Sequence, residues 1–207
     1  MKVGIMGGTF NPIHQAHLML AQAALKQYAL DVIWFMPSHL PAHKSNSELI
    51  SAEHRWNMVK LAVEDQSQLV ASDFELRRDG FTYTYETLTQ LCLDYPEHEF
   101  FFLIGGDSLA KFSTWVHPEI IAQKAVLLAT GRSGYAVEEL KRVQKQLETA
   151  YLARIFWILM PSVPISSREI RRLFREGQTA EAAAMLPEKV AAYILQHGLY
   201  QNQESRI

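Results

Sequence analysis

The 207-residue sequence predicts an α/β protein: a doubly wound parallel sheet, Rossmann-like, with helices on both faces and a helical C-terminal end. Three observations predict it. Apolar runs alternate with amphipathic segments in βαβα order. Those runs are continuously apolar instead of alternating with polar residues, as in strands buried on both faces. The clearest of them stop at glycines, where a strand turns into the next element.

The elements follow in order. Val3 to Met6 is a short apolar run ending at Gly7-Gly8, the pattern of a buried strand entering a tight turn. Leu18, Ala21, Leu25 and Tyr28 recur at helical spacing and predict a helix from about Gln15 to Ala29, punctuated by Asp31. Val32 to Met36 is a second strand ending at Pro37, and the polar stretch from Ser38 to Ser51 reads as a long loop of the kind that carries function. Trp56, Val59 and Val63 mark a second helix, Leu69 to Ala71 a short strand, and Thr84 to Leu93 a third helix. Phe100 to Ile104 forms a strand that stops at Gly105-Gly106-Asp107, and Ala125 to Ala129 repeats the form before Thr130-Gly131. Val137, Leu140, Val143 and Leu147 mark another helix, and Arg154 to Leu159 another strand. After Pro164 come two or three helices, with Gly198 placed to cap the last. The reading is one domain: an α/β core over 1-164, and C-terminal helices over 165-207.

Composition bounds the function. With 48% hydrophobic residues there is ample material for a core, and a formal charge of −2 argues against a general nucleic-acid binder, which needs a basic excess. Any anion site must therefore be local. Cys92 is the single cysteine, so no internal disulfide is available, and it reads as an apolar filler on a helix. The run Met1 to Met6 is too short for a signal peptide and no stretch has the length of a membrane span. A cytoplasmic protein without a membrane or nucleic-acid partner is expected; the oligomeric state is not readable.

The chemistry gathers at the end of the first strand. Gly7, Gly8 and Thr9 let backbone amides approach an anion without side chains in the way. His14 and His17 lie three apart where the next helix starts, on one side and near its positive end, so both imidazoles could donate to phosphate oxygens. Neither Gly-x-x-x-x-Gly-Lys-Ser/Thr nor Gly-x-Gly-x-x-Gly is present. A zinc site using the two histidines, and an ordinary turn followed by solvated histidines, stay open on these residues alone.

The whole segment Gly7-Gly8-Thr9-Phe10-Asn11-Pro12-Ile13-His14-Gln15-Ala16-His17 resembles the Gly-Gly-Thr-Phe-Asp-Pro-x-His-x-Gly-His signature of the HxGH nucleotidyltransferase superfamily, with Asn11 for aspartate and Ala16 for glycine. Ile165-Ser166-Ser167-Arg168-Glu169-Ile170-Arg171 resembles its Ile-Ser-Ser-Thr-x-Ile-Arg motif, with Arg168 for threonine. Ser166 with Glu169 also reads as a plain capping box. Arg172 and Arg175 read as a solvated face.

Further segments are similar to the bacterial nicotinate mononucleotide adenylyltransferases, over nearly the whole chain. Pro41-Ala42-His43-Lys44 resembles a Pro-Pro-His-Lys loop, Thr82-Tyr83-Thr84-Tyr85-Glu86-Thr87-Leu88 a Ser-Tyr-Thr-x-Asp-Thr-Leu segment, and Gly105-Gly106-Asp107-Ser108-Leu109 with Phe112 and Trp115 a Gly-Ala-Asp-x-Leu and Phe-x-x-Trp pair. The resemblance implies transfer of AMP from ATP to nicotinate mononucleotide, giving nicotinate adenine dinucleotide and pyrophosphate. Catalysis would fall to His14, His17, Lys44 and Arg171, and ATP would be held by Gly7, Gly8, Thr9, Phe10, Gly105, Asp107, Ser166 and Ser167. The acceptor would be held by Tyr83, Thr84 and Trp115, whose indole would stack on the pyridine ring. Asp107 reads equally as a helix cap. Magnesium would arrive with ATP, with no protein metal cage expected. Two alternatives remain: nicotinamide mononucleotide, phosphopantetheine or a small alcohol phosphate as the acceptor in the same superfamily, and a nucleotide-binding module without turnover.

Overall fold

The structure, a computed structural model, describes residues 1–41, 49–78, 80–131, 136–161 and 163–201. In chain order the elements that build the sheet and its first cover are β1 (Lys2–Gly8), α1 (Gln15–Tyr28), β2 (Val32–Pro37), β3 (Leu40–Pro41), α2 (Ala52–Val63), β4 (Leu69–Ala71), β5 (Phe81–Thr82) and α3 (Thr84–Asp94). They are followed by β6 (Glu99–Gly105), α4 (Gly106–Ala110), a 3₁₀ turn at Phe112–Thr114, α5 (Pro118–Lys124), β7 (Val126–Thr130), α6 (Val137–Tyr151) and β8 (Ile155–Ile158). Three helices close the described chain: α7 (Ser167–Arg175), α8 (Thr179–Ala184) and α9 (Glu188–Gln196).

Six strands form one parallel sheet in the order β4-β2-β1-β6-β7-β8. The expected Rossmann-like α/β architecture is present. From β1 the chain winds outward through β2 to β4, and from β6 it winds the other way through β7 to β8. The direction therefore reverses between β1 and β6, and the carboxyl ends of strands flanking such a switch point form a natural ligand crevice. Ile5 lies opposite Phe102, and the strand ends Gly8 and Gly105 each follow that pair by three residues.

Two apolar clusters flank the sheet. One joins Met6, Phe10, Ile33 and Leu128 to Met58 and Val59 of α2 and to Ile170, Phe174, Val190 and Leu199 of the C-terminal segment. The other joins Val3, Ile5, Phe102 and Leu127 to Leu88 and Leu91 of α3, Phe112, Ile121 and Leu147. Strands β6 and β7 are buried along nearly their whole length, the reason their sequences read as unbroken apolar runs.

Several local expectations need correction. Gly7 and Gly8 are the last two residues of β1, paired in register with Met36 and Pro37, so the turn starts at Thr9. Gly8 is confined by packing: an added Cβ would meet the Phe10 ring at 3.3 Å. Helix α1 stops at Tyr28 because Ala29 adopts a left-handed conformation (φ 49°) and returns its N–H to the Leu25 carbonyl. Asp31 instead accepts the Lys2 N–H at 2.7 Å. In α2 the buried stripe is Arg55, Met58, Val59, Ala62 and Val63, while Trp56 is half-buried with the Lys60 ammonium 5.5 Å from its ring centre. The loop expected from Ser38 to Ser51 contains β3, which pairs in parallel with β5; both strands are two residues long, too short for a periodicity to register. Gly198, with φ 59°, lies just past the end of α9, as a cap should. Among the described residues no helix is long and apolar enough to cross a membrane.

Candidate active site

The turn after β1 is held from several directions. His14 is the N-cap of α1, and its backbone N–H donates to His17 Nδ1 at 3.1 Å. A neutral imidazole that accepts at Nδ1 carries its proton at Nε2, so the N–H of His17 is on the other edge of the ring. The two imidazoles stack with ring centres 3.7 Å apart, and the Phe10 ring meets His17 edge-on at 5.2 Å. Phe10 is itself buried against Phe35, so its side chain belongs to the core and only its backbone borders the turn. Ala16 is buried as well.

The C-terminal motif docks on this turn. Ser166 caps α7, its hydroxyl accepting the Glu169 N–H at 3.2 Å. Ser167 Oγ donates to the Pro12 carbonyl at 2.9 Å and Arg171 Nη1 donates to the Asn11 carbonyl at 2.9 Å. Segments more than 150 residues apart in sequence therefore meet at the carboxyl end of β1, with the N-terminus of α7 beside the N-terminus of α1. Arg172 turns outward and pairs with Glu169 and Glu176, on the solvated face expected of it.

Two contacts here were not legible in the motifs. Tyr200, from the chain's end, donates its hydroxyl to Asn11 Oδ1 at 2.8 Å and stacks on Phe174. Burial pushes the Tyr200 phenol far up, so it remains protonated and a donor. Arg55, 1% exposed, donates to the carbonyls of Thr9, Ser38 and His39. Its position on the apolar face of a helix gave no sign of this, because sequence periodicity marks a buried face but not a polar partner brought in from elsewhere.

The second half of the site surrounds the start of α3. Tyr83 is the N-cap in extended conformation, and its side chain makes no capping bond, so the first-turn amides beginning at Thr84 have no side-chain cap. A small cleft is lined by Thr82, Tyr83, Thr84, Trp115, Val116 and Ile121. Trp115 is half-buried, packed against Phe102 and Phe112. Thr82 Oγ1 accepts the His39 N–H at 3.2 Å, and the β3–β5 pair ties the post-β2 loop to this segment. Beneath it lies a polar network also absent from the sequence reading. Glu75, only 7% exposed, accepts from Thr87 Oγ1 at 2.9 Å, and Arg78 pairs with Glu86. Burial pushes the Glu75 carboxyl up to about 7, against the smaller opposing pull of the Thr87 bond and the Arg78 charge.

Gly105 is the N-cap of the short helix α4, and Asp107 lies in its first turn, exposed, at the same sheet edge as Gly8. The capping role considered for Asp107 thus belongs to Gly105. Lys44 lies outside the described residues.

A crevice at a parallel-sheet switch point, with two helix N-termini and the side chains of Arg55 and Arg171 meeting one turn, is an arrangement in which α/β proteins hold phosphate-bearing ligands. Residues 5–173 match the model of the cytidylyltransferase-like family, which makes the chain a nucleotidyltransferase. A relative from Lachnoclostridium phytofermentans named "Probable nicotinate-nucleotide adenylyltransferase" is 46% identical over 96% of this chain and 98% of its own. One of the same name from Bacillus cytotoxicus is 35% identical over 97% and 99%. The chain belongs to the nicotinate-nucleotide adenylyltransferase family, enzymes of NAD biosynthesis. The fold is also shared with the Plasmodium falciparum nicotinic acid mononucleotide adenylyltransferase solved with NaAD, at TM-score 0.81, 22% identity and coverage of 96% and 97%.

Proposed function

We propose that this enzyme joins nicotinate mononucleotide to the AMP half of ATP. An oxygen of the mononucleotide phosphate attacks the α-phosphorus in line; a new P–O bond forms as the bond to the β-phosphate breaks, and pyrophosphate leaves. The ionised phosphate is already nucleophilic, so no proton need be removed and no covalent enzyme intermediate is required. Rate comes from alignment and from neutralising charge on the transferring and leaving groups.

The observation that supports this reading is the docking of Ser167 and Arg171 onto the Asn11–Pro12 carbonyls, which brings both motifs together at one turn. On this reading the backbone at Gly7, Gly8, Thr9 and Phe10 borders the triphosphate, and His17 donates through Nε2 near the α-phosphate with His14 beside it. Ser166, Ser167, Arg171 and Lys44 meet the β- and γ-phosphates, and Gly105 and Asp107 meet the ribose. Magnesium enters as part of the MgATP substrate, bound by phosphates and water. The α3 N-terminus at Tyr83–Thr84 receives the nicotinate carboxylate, an anion at a helix start, and Trp115 stacks on the pyridine ring. The reaction is placed in the cytoplasm, in keeping with a single cysteine.

Parallel pyrophosphate-release assays with the acid and amide mononucleotides test the acceptor. A clear preference for the acid is expected, since an uncapped helix start favours a carboxylate over a carboxamide. Preference for the amide would overturn the acceptor assignment.

A further inference from the structure

Arg55 is a charged side chain placed where the sequence pattern calls for an apolar one. Its guanidinium is 1% exposed, and burial pulls its pKa down. Three of its donors go to backbone: Nη1 reaches Thr9 O at 3.0 Å and Ser38 O at 2.6 Å, and Nη2 reaches His39 O at 2.9 Å, while Nε is buried with no partner among the described residues. None of these acceptors is a carboxylate. Burying a guanidinium against neutral carbonyls is unfavourable compared with an apolar residue of similar size, so its place here calls for a reason beyond packing.

Geometry supplies one. In a trans peptide the N–H points opposite to the C=O. Holding the Thr9 carbonyl on Arg55 therefore aims the Phe10 N–H away from α2. Phe10 has φ 48°, a left-handed conformation that a bulky residue keeps only where its surroundings fix it. The Arg55 bond fixes the peptide before it, and the buried Phe10 ring, wedged against His17 and Phe35, fixes the residue itself. The same guanidinium ties the Thr9 turn to Ser38 and His39, the residues just past the end of β2.

We propose that Arg55 is a positioning residue for triphosphate binding: through the Thr9 carbonyl it aims the Phe10 amide at the phosphates, and through the Ser38 and His39 carbonyls it braces that turn against the end of β2. Its charge lies behind the turn and adds to the local attraction for an anion in a chain whose overall charge is negative. The inference rests on the reading that this turn holds ATP.

The test uses the full-length enzyme, Arg55→Met and Arg55→Lys, with α,β-methylene-ATP as the binding probe. Circular dichroism and thermal melts identify the folded variants. Arg55→Met matches the length of the stem and has no donors; it should weaken α,β-methylene-ATP at least about tenfold and lower kcat, as expected when one or two hydrogen bonds to a charged group are lost. The KM for nicotinate mononucleotide should stay within about threefold, a split that general loosening of the fold would not produce. Arg55→Lys, able to reach one carbonyl, should recover part of the loss. A folded Arg55→Met with unchanged nucleotide affinity and kcat would overturn the proposal. So would the unsubstituted enzyme, if its Phe10 amide proton resonance fails to move under saturating α,β-methylene-ATP, a measurement that stands even if both variants misfold. If the unsubstituted enzyme does not bind α,β-methylene-ATP at all, the reading of the turn as an ATP site fails first. If it binds the analogue but releases pyrophosphate with neither mononucleotide, only the acceptor assignment fails.

Discussion

Glu75 makes the stability of this protein depend on pH in a direction opposite to that of most carboxylates. Its carboxyl is buried under the start of α3 and is pushed from 4.5 up to about 7, because burial disfavours its charged form more than Thr87 and Arg78 support it. Below pH 4.5 the group is protonated in both folded and unfolded chains and contributes no pH dependence. Between 4.5 and about 7 the unfolded chain releases the proton while the folded one keeps it, so stability falls as pH rises; above 7 the loss is complete. At about 1.36 kcal/mol per pH unit, that interval bounds the loss at about 3 kcal/mol. Glu75→Gln removes the charge and keeps an acceptor for the Thr87 hydroxyl. Urea unfolding of both proteins from pH 5 to pH 8, with unchanged m-values, isolates this group, because the histidines titrate alike in each and cancel in the difference. The variant's advantage should grow by about 2–3 kcal/mol across that range. A difference that is constant with pH would refute the reasoning.

Other substitutions separate the roles. His17→Ala removes the Nε2 donor and should lower kcat about a hundredfold, on the order of 3 kcal/mol, in a protein with native circular dichroism; normal turnover would exclude His17 from the transition state. Arg171→Ala should raise the KM for ATP and lower kcat together, whereas Arg172→Ala, which breaks only exposed pairs with Glu169 and Glu176, should leave both within about twofold in the same assay. Tyr200→Phe removes the 2.8 Å bond to Asn11 and should lower the unfolding free energy by about 1–2 kcal/mol in a urea titration.

How far the sequence was legible depended on whether a signal was local. The strand Phe100 to Ile104 is set by its own apolar run and extends one residue further at each end, and the helix marked by Val137, Leu140, Val143 and Leu147 starts at Val137 and runs on to Tyr151. The helices α4 and α5 and the β3–β5 pair were missed because each is too short for periodicity to accumulate. At the site, residue types in order announced Gly7 to His17 and Ile165 to Arg171. Their contact with each other is tertiary, as are the Tyr200 latch on Asn11 and the three carbonyls gathered by Arg55. Asn11 illustrates the difference. In the sequence it is only a departure from aspartate; in the fold its carbonyl serves Arg171 and its side chain accepts from Tyr200, so the residue ties the first strand's turn to the C-terminal helices.

That junction bears on why the C-terminal helices are needed for chemistry at the first strand. The turn with its left-handed Phe10 is held in part locally, the His14 N–H on His17 Nδ1 and the His17 N–H on the His14 carbonyl. Its carbonyls are held from outside, Thr9 by Arg55 on one side and Asn11 and Pro12 by Arg171 and Ser167 on the other. Gln15 adds two further ties, its N–H to the Met185 carbonyl and its side-chain amide to that of Leu186. The Thr9 and Pro12 bonds each hold one peptide plane, and with it the Phe10 and Ile13 amides, before ATP arrives, and the Asn11 bond fixes the backbone between them. A site arranged in this way does not have to order its donors during the reaction, which is the condition under which fixed dipoles stabilise a transferring phosphoryl group most effectively. Loosening α7 should therefore impair triphosphate handling even where no α7 side chain reaches a phosphate.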